Sequence, residues 1–317
     1  MLSSPILRLV VFAAFAAATG RAQPVSPWLF HDAAFAAVVR PGVAPEFLAG
    51  GFNGCEGAQW IPEPGAPGGG HLVFGAVHTD VAFRWDEKNG LRGLRSPSSE
   101  ASAFRPHPAG GLVVAEQTTR RIVRYETDGR VTVLVERFEG KRLNRPNDLA
   151  VRRDGTVWFT DPDYLFKQRP HDTKELSGQF VFRLDPASGE LRVVVTGLKL
   201  PNGIAFTRDE SALYVGDSGT GDVDRWPVRS DGTLGAREPF VRPRHGGPDG
   251  VTVDAAGNVW IASAKAVEVY SAAGRPLAEL TVPGKRPAAV AFGGAHGEWL
   301  FVCTREALWR VPLAPRP

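Results

Sequence analysis

The sequence predicts an all-β chain folded as a six-bladed β-propeller, and three observations carry that reading. Six apolar runs recur in one phase: HLVFGA at 71–76, GLVVAE at 111–116, TVWFTD at 156–161, ALYVGD at 212–217, NVWIAS at 258–263 and EWLFVC at 298–303, with start points 40, 45, 56, 46 and 40 residues apart. A second motif trails each run: FRWD at 83–86, VRYE at 123–126, FRLD at 182–185, DRWP at 224–227, VEVY at 267–270 and LWRV at 308–311. The runs are rich in β-branched and aromatic residues, which suit strands. Between them DEKNG, DGR, RDG, PASG and AAGN supply the Gly, Asp and Asn that tight turns need.

In chain order, residues 1–22 come first. Arg8, the apolar stretch LVVFAAFAAA and Gly20-Arg21-Ala22 form the pattern of a secretory signal peptide cleaved after Ala22, too short for a spanning helix. The competing reading is an uncleaved anchor. Cleavage leaves 23–317 as one propeller domain in a secreted or periplasmic protein. HDAAFAAVV at 31–39 reads as a short helix, and PEFLAGG at 45–51 as a strand outside the repeat. Blade 6 (287–312) lacks a fourth strand, so pairing it with 45–51 closes the ring and leaves no open edge there. Blade 3 shows all four strands, as DLAVRR, TVWFTD, FVFRLD and ELRVVVTG. The 56-residue spacing comes from an insertion, PDYLFKQRPHDTKELSG at 162–178, with Tyr164, Phe166, Lys167, Arg169 and His171. A loop this long reads as a rim over a functional site.

Charge narrows the partners. Losing 1–22 removes Arg8 and Arg21 from 37 basic residues and nothing from the 34 acidic ones, leaving a net charge near +1. No Lys or Arg run stands out, which excludes nucleic acid as the expected partner. No other stretch is long and apolar enough to span a membrane, and a monomer is expected. Cys55 precedes the first strand of blade 1, and Cys303 ends the second strand of blade 6. Antiparallel neighbours put both at one mouth of adjacent blades. A disulfide and a pair of packed thiols both remain open.

The first strand of each blade lies upstream of its apolar run, and the residues opening it are Glu56, Ser102, Asn147, Asn202, Asp249 and Ala288. First strands line a propeller's channel, so these residues converge at one mouth. Alone, Pro146-Asn147-Asp148, Pro201-Asn202-Gly203 and Pro248-Asp249-Gly250 are turn signals. In shared phase, Glu56, Asn147, Asn202 and Asp249 form an all-oxygen donor set with two negative charges. Such a set suits one divalent cation: calcium first, with magnesium, manganese or zinc as other candidates. Calcium takes six to eight oxygens, so four protein ligands leave room for water and substrate. The second-strand ends Ala76, Glu116, Asp161, Asp217, Ser263 and Cys303 are expected at the same mouth. Among them Asp161 is the preferred candidate general base. Glu116 could instead pair with Arg120 or Arg121, and Asp217 could cap a loop.

The segments EGAQW, EGKRLNRPNDLAVRRDGTVWFTDPDY, LPNGIAFTRDESALYVGDS and GPDGVTVDAAGNVWIAS resemble the gluconolactonase/regucalcin family, and EGKRLN-x-PND with WFTDP resembles its bacterial gluconolactonase branch. The likeness covers residues 31–312. It implies a six-bladed lactone hydrolase with one divalent metal in the channel, held by Glu56, Asn147, Asn202 and Asp249, with Asp249 helping to activate water. Ala58 stands where the branch usually has Pro, Ser102 where Asn is common, and Ala115-Glu116-Gln117-Thr118 where a CEHG-like stretch is frequent. The expected reaction is opening of an aldonolactone such as gluconolactone. Asp249 or Asp161 would take the proton, and Ser102, Glu116, Lys141, Arg142 and Tyr164 would meet the substrate. Another lactone or ester on the same metal, or a non-catalytic metal- or sugar-binding propeller, are the alternatives.

Overall fold

A computed structural model describes residues 26–164 and 172–314. The 1–22 segment, and Phe166, Lys167, Arg169 and His171 of the long insertion, lie outside the described residues. The strands form six antiparallel sheets that follow one another as blades. Blade 1 runs from Cys55–Pro62 to Gly90–Arg95, blade 2 from Ala101–Pro106 to Val131–Val135, and blade 3 from Leu149–Val151 to Glu190–Val195. Blade 4 runs from Pro201–Phe206 to Glu238–Val241, blade 5 from Val251–Val253 to Pro276–Leu280, and blade 6 from Pro287–Gly293 to Ala307–Pro312. Each blade's first strand touches the first strands of both neighbours, so the six surround one axis.

Glu46–Gly50 pairs with Ala307–Pro312 and supplies the fourth strand of blade 6, as the sequence predicts. The N-terminal segment does more than that. Trp28–Phe30 adds a fifth strand to blade 5 through Trp28↔Leu280 and Phe30↔Ala278. The helix expected at 31–39 is a short 3-10 turn over Ala33–Ala37, started by Asp32 accepting a hydrogen bond from the Ala34 amide. Phe35 and Val39 on this segment pack with Trp28 against Trp260. A two-stranded hairpin, Arg137–Phe138 with Lys141–Arg142, also escaped the repeat because it lies between blades 2 and 3.

The hydrophobic core lies between blades and leaves the axis polar. Six buried clusters each fill one junction between adjacent blades. The junction of blades 6 and 1 stacks Trp60 on Phe301, ring centroids 5.3 Å apart. Cys55 and Cys303 form a disulfide across that same junction, with Cα atoms 5.4 Å apart.

Where the first strands open, their pairing is irregular in every blade. Glu56 faces Gly75 and Gln59 faces Val73, so blade 1 holds one more residue on its first strand than on its second. Blade 4 repeats this between Pro201 and Ile204, and blades 2 and 6 show it between Ala101 and Ala103 and between Pro287 and Ala289. In blade 3, Thr160 bonds both Asn147 and Asp148, and in blade 5 Ala262 bonds both Asp249 and Gly250. Bulges of this kind turn a side chain out of the pleat, here toward the axis.

The glycine after a bulged residue lets the next blade approach. A Cβ on Gly57 would stand 2.3 Å from the Ser102 carbonyl oxygen, and Gly57 has φ +66°. Gly57→Ala is therefore expected to lower stability by about 1–3 kcal/mol, the range for backbone strain combined with a clash. Urea unfolding against wild type measures this, and an unchanged midpoint would show that the two blades can separate without loss.

Candidate functional site

The bulges bring Glu56, Asn147, Asn202 and Asp249 to one level of the channel. All four line two adjoining cavities: about 150 Å³ on the mouth side and about 20 Å³ further down the axis. They form the constriction between the two. Ser102 lies on the axial side, where its hydroxyl donates to the Asn147 carbonyl at 2.7 Å. Thr160 does the same for Asn202, donating to its carbonyl at 2.8 Å. The Gly203 amide donates to the Asp249 carbonyl at 3.0 Å. Each of these backbones is thus fixed by the preceding blade.

The electrostatics are those of a site short of positive charge. Burial, and after it the negative charge of Asp249, pushes the Glu56 carboxyl up to about 8. Burial also raises Asp249, against the lowering effect of Arg286 and Arg305. Asp249 Oδ2 is buried and has no hydrogen-bond partner. Arg286 Nη2 stands 3.1 Å from that oxygen but off the hydrogen-bond direction, so the contact is one of charge. Arg305 lies 3.6 Å from Glu56 and 3.8 Å from Asp249. Below the ring, Asp148 accepts from Arg105 and from the amides of Leu149 and Ile204, which join blades 2, 3 and 4.

Tyr164 reaches the mouth-side cavity, and its hydroxyl accepts from the Asn202 side-chain amide at 3.0 Å. Burial and the nearby Asp249 charge push its ionisation up, so the phenol keeps its proton. The Asn202 amide also bonds Ser218 Oγ at 3.1 Å. Glu116, Lys141, Arg142 and Asp161 do not line either cavity. Glu116 accepts from Arg121 and Thr119. Lys141 and Arg142 belong to the 137–142 hairpin, where the Arg142 amide donates to Glu175. Asp161 is fully buried and accepts from the Asn144 amide at 2.7 Å.

Strand alternation explains why Glu116 and Asp217 at the second-strand ends turn away from the axis: the residue after each of these two faces it instead. Val77, Gln117 and Ser218 occupy that next position in blades 1, 2 and 4, and all line the mouth-side cavity, as do His78 and Arg305 one residue further on. Advancing the repeat phase by one or two residues would have found them. Asp161 and Asp217, with Glu268 on the third strand of blade 5, have another task, anchoring the segments that lead to Asn147, Asn202 and Asp249. Asp161 holds the Asn144 amide, Asp217 those of Lys199 and Leu200, and Glu268 those of Arg244 and His245.

Among the described residues no cluster of three or more His, Cys, Asp and Glu could hold a metal. The candidate site is instead two buried carboxylates and two amides, a donor set of oxygens alone. The fold and this ring together define a six-bladed propeller with a polar, acid-and-amide pocket at one mouth of its channel. A profile of the SMP-30/Gluconolactonase/LRE-like region matches residues 55–306, and the chain belongs to that family. A gluconolactonase of Zymomonas mobilis subsp. mobilis is 28% identical over 291 residues, 84% of this chain and 80% of the relative. The pentonolactonase XacC of Haloferax volcanii is 39% identical over 211 residues, 62% of this chain and 69% of the relative. Among solved structures, the gluconolactonase XC5397 from Xanthomonas campestris superposes with a TM-score of 0.83 at 31% identity, covering 92% of this chain and 96% of that one.

Burial raises Asp161 from 3.8 to about 7. The folded chain therefore keeps a proton there that the unfolded chain releases near pH 4, so stability falls as pH rises across that window and levels off above 7. Asp161→Asn should flatten the metal-free protein's pH–stability curve between 4 and 7, by up to about 1.4 kcal/mol per pH unit. Urea unfolding in chelator at a series of pH values is the check. Parallel curves for the two proteins would mean Asp161 is ionised in the folded chain.

Proposed function

We propose that this chain opens sugar lactones to the free acid, using a divalent cation held by Glu56, Asn147, Asn202 and Asp249. The observation that carries the reading is the convergence of two buried carboxylates and two amides at the channel constriction. It occurs in a chain whose relatives include a gluconolactonase and a pentonolactonase. The residues fit a cation. Both carboxyls are raised by burial, the two repel each other, and one Asp249 oxygen is buried without a hydrogen bond. A hard dication is the chemistry that set of oxygens lacks.

When bound, such a cation supplies Lewis-acid polarisation of the lactone carbonyl and a water of lowered pKa. Everything else falls to the chain. Hydrolysis adds water to the carbonyl carbon, breaks the acyl–oxygen bond of the ring, and passes one proton from water to the departing ring oxygen. Asp249 takes that proton, since its Oδ2 faces the cavity with an unused acceptor position. Tyr164, protonated and held by Asn202, offers a hydroxyl to the sugar. Gln117 and His78 complete the polar wall above the ring. Asn147 and Asn202 contribute neutral oxygens, which leaves the charge balance to Glu56 and Asp249.

The 1–22 segment directs export with cleavage after Ala22, a reading supported by its composition and by a disulfide suited to an oxidising compartment. Intact mass of periplasmic protein should give Gln23 as the first residue; a product retaining Met1 would reject it.

Asp249→Ala should remove most bound metal and nearly all lactone turnover while the propeller remains folded, because a mouth-facing carboxylate supports no apolar packing. Glu56→Gln should act in the same direction, and Asn147→Ala should weaken metal less, since no charge is lost. Metal content by mass spectrometry, acid release from gluconolactone and circular dichroism test all three. Full metal and full rate in both carboxylate variants would sink the reading.

A further inference from the structure

Arg286 and Arg305 are unaccounted for by lactone opening as such. Arg286 ends the segment before the first strand of blade 6, and Arg305 follows its second strand. The Arg305 amide donates to the Arg286 carbonyl at 3.1 Å, so the two guanidinium groups rise side by side from one ladder. Like charges so placed repel. Both line the mouth-side cavity, where among the described residues, apart from the protonated Tyr164 phenol, the other ionisable groups are the carboxyls of Glu56 and Asp249 and the imidazole of His78. Two cations face two carboxyls there, which balance them only when both carboxyls are ionised, a state that burial opposes in the metal-free chain.

The hydrogen bonding is less complete still. No hydrogen bond from the Arg305 guanidinium is present among the described residues; it meets Glu56 and Asp249 only at 3.6 and 3.8 Å, beyond bonding distance. Arg286 bonds the Gly247 carbonyl at 3.0 Å through Nη2, and its buried Nε has no partner. Not every arginine in the chain is used this way. Arg242, for example, bonds Asp222 through both Nε and Nη2. A pair of guanidinium groups with idle donors, in a cavity of about 150 Å³ beside the reacting ring, is a fork for an oxyanion.

We propose that Arg286 and Arg305 form an anion subsite, and that the preferred substrate is a sugar lactone carrying a second, negatively charged substituent such as a carboxylate or phosphate. The inference rests on the lactone-hydrolase reading and on a dication at Glu56 and Asp249. Once a dication compensates those carboxylates, the two arginines lose their counter-charge and the cavity is left with two positive charges. An anionic substituent on the substrate restores the balance and fills the idle donors. A neutral lactone does neither. The side-by-side placement also suits a group with two or three oxygens better than a lone hydroxyl.

The test has a kinetic and a binding arm. Metal-loaded wild type is assayed on glucono-1,5-lactone, glucaro-1,4-lactone and 6-phosphoglucono-1,5-lactone. The kcat/KM for at least one anionic lactone should exceed that for the neutral one by about tenfold, the worth of one charge-assisted hydrogen bond. In Arg305→Gln and Arg286→Gln that ratio should collapse toward one, chiefly through KM, and Arg305→Lys should restore only part of it because the fork is lost. Calorimetry with the open acids, which need no turnover, should show glucarate or 6-phosphogluconate binding at least about tenfold more tightly than gluconate. This difference should shrink in Arg305→Gln. The carboxylate and phosphate arms separate the two kinds of substituent. Equal kcat/KM on neutral and anionic lactones, or a ratio unchanged in both Gln variants, overturns the subsite while leaving lactone hydrolysis intact. Hydrolysis of none of the three defeats the hydrolase reading, and the calorimetry then decides the anion subsite by itself.

Discussion

The closeness of the six first strands around the axis is the constraint on which the site depends. A side chain of any size after Glu56 or Asn202 would collide with the carbonyl of the next blade: a Cβ on Gly203 would lie 2.3 Å from the Asp249 oxygen, as one on Gly57 would from Ser102. Because a glycine follows, the Gly203 amide can instead bond that carbonyl. The ring therefore closes tightly enough for side chains from four blades to share one constriction. The bulge at each strand opening directs them inward, and hydroxyls of Ser102 and Thr160 fix the next backbone along. Position at the mouth is a property of several blades together, since Asn147, Asn202 and Asp249 each take their place from the blade before.

Much of this was legible from residues alone, and the parts that were not share a cause. Strand positions followed from periodicity, because apolar alternation and turn residues are local, and the closing strand at 45–51 followed from counting. The four ring residues followed from phase. Glycine after Glu56, Asn202 and Asp249 reads as a turn signal in one dimension, whereas its reason is contact with another blade. The same limit hid the fifth strand at Trp28–Phe30, whose partner lies some 250 residues away. Phase located the ends of the second strands correctly, but not which way those side chains point. Asp161 and Asp217 are anchors, Glu116 pairs with Arg121, and the cavity wall takes Gln117 and Ser218 instead.

Charge is sorted by depth. Carboxylates just behind the mouth, such as Asp217 and Glu268, accept backbone amides and hold the loops that deliver ligands. Those at the constriction accept little from the backbone and face guanidinium groups across the cavity. Deeper still, Asp148 is saturated by Arg105 and two amides and ties three blades together. At the constriction Asp249 Oδ2 is left without a hydrogen bond while facing the cavity, and chemistry requires groups whose bonding is not already spent on the fold.

The seam between blades 6 and 1 is closed twice, by Glu46–Gly50 and by the Cys55–Cys303 bond. The second closure makes residues 55–303 a covalent macrocycle, and Glu56, Asn147, Asn202 and Asp249 all lie on its circumference. A single nick in any loop along that arc converts the circle to a line without releasing a fragment. The exposed loops of this chain can accordingly be cut once, while every ligand remains tethered to every other.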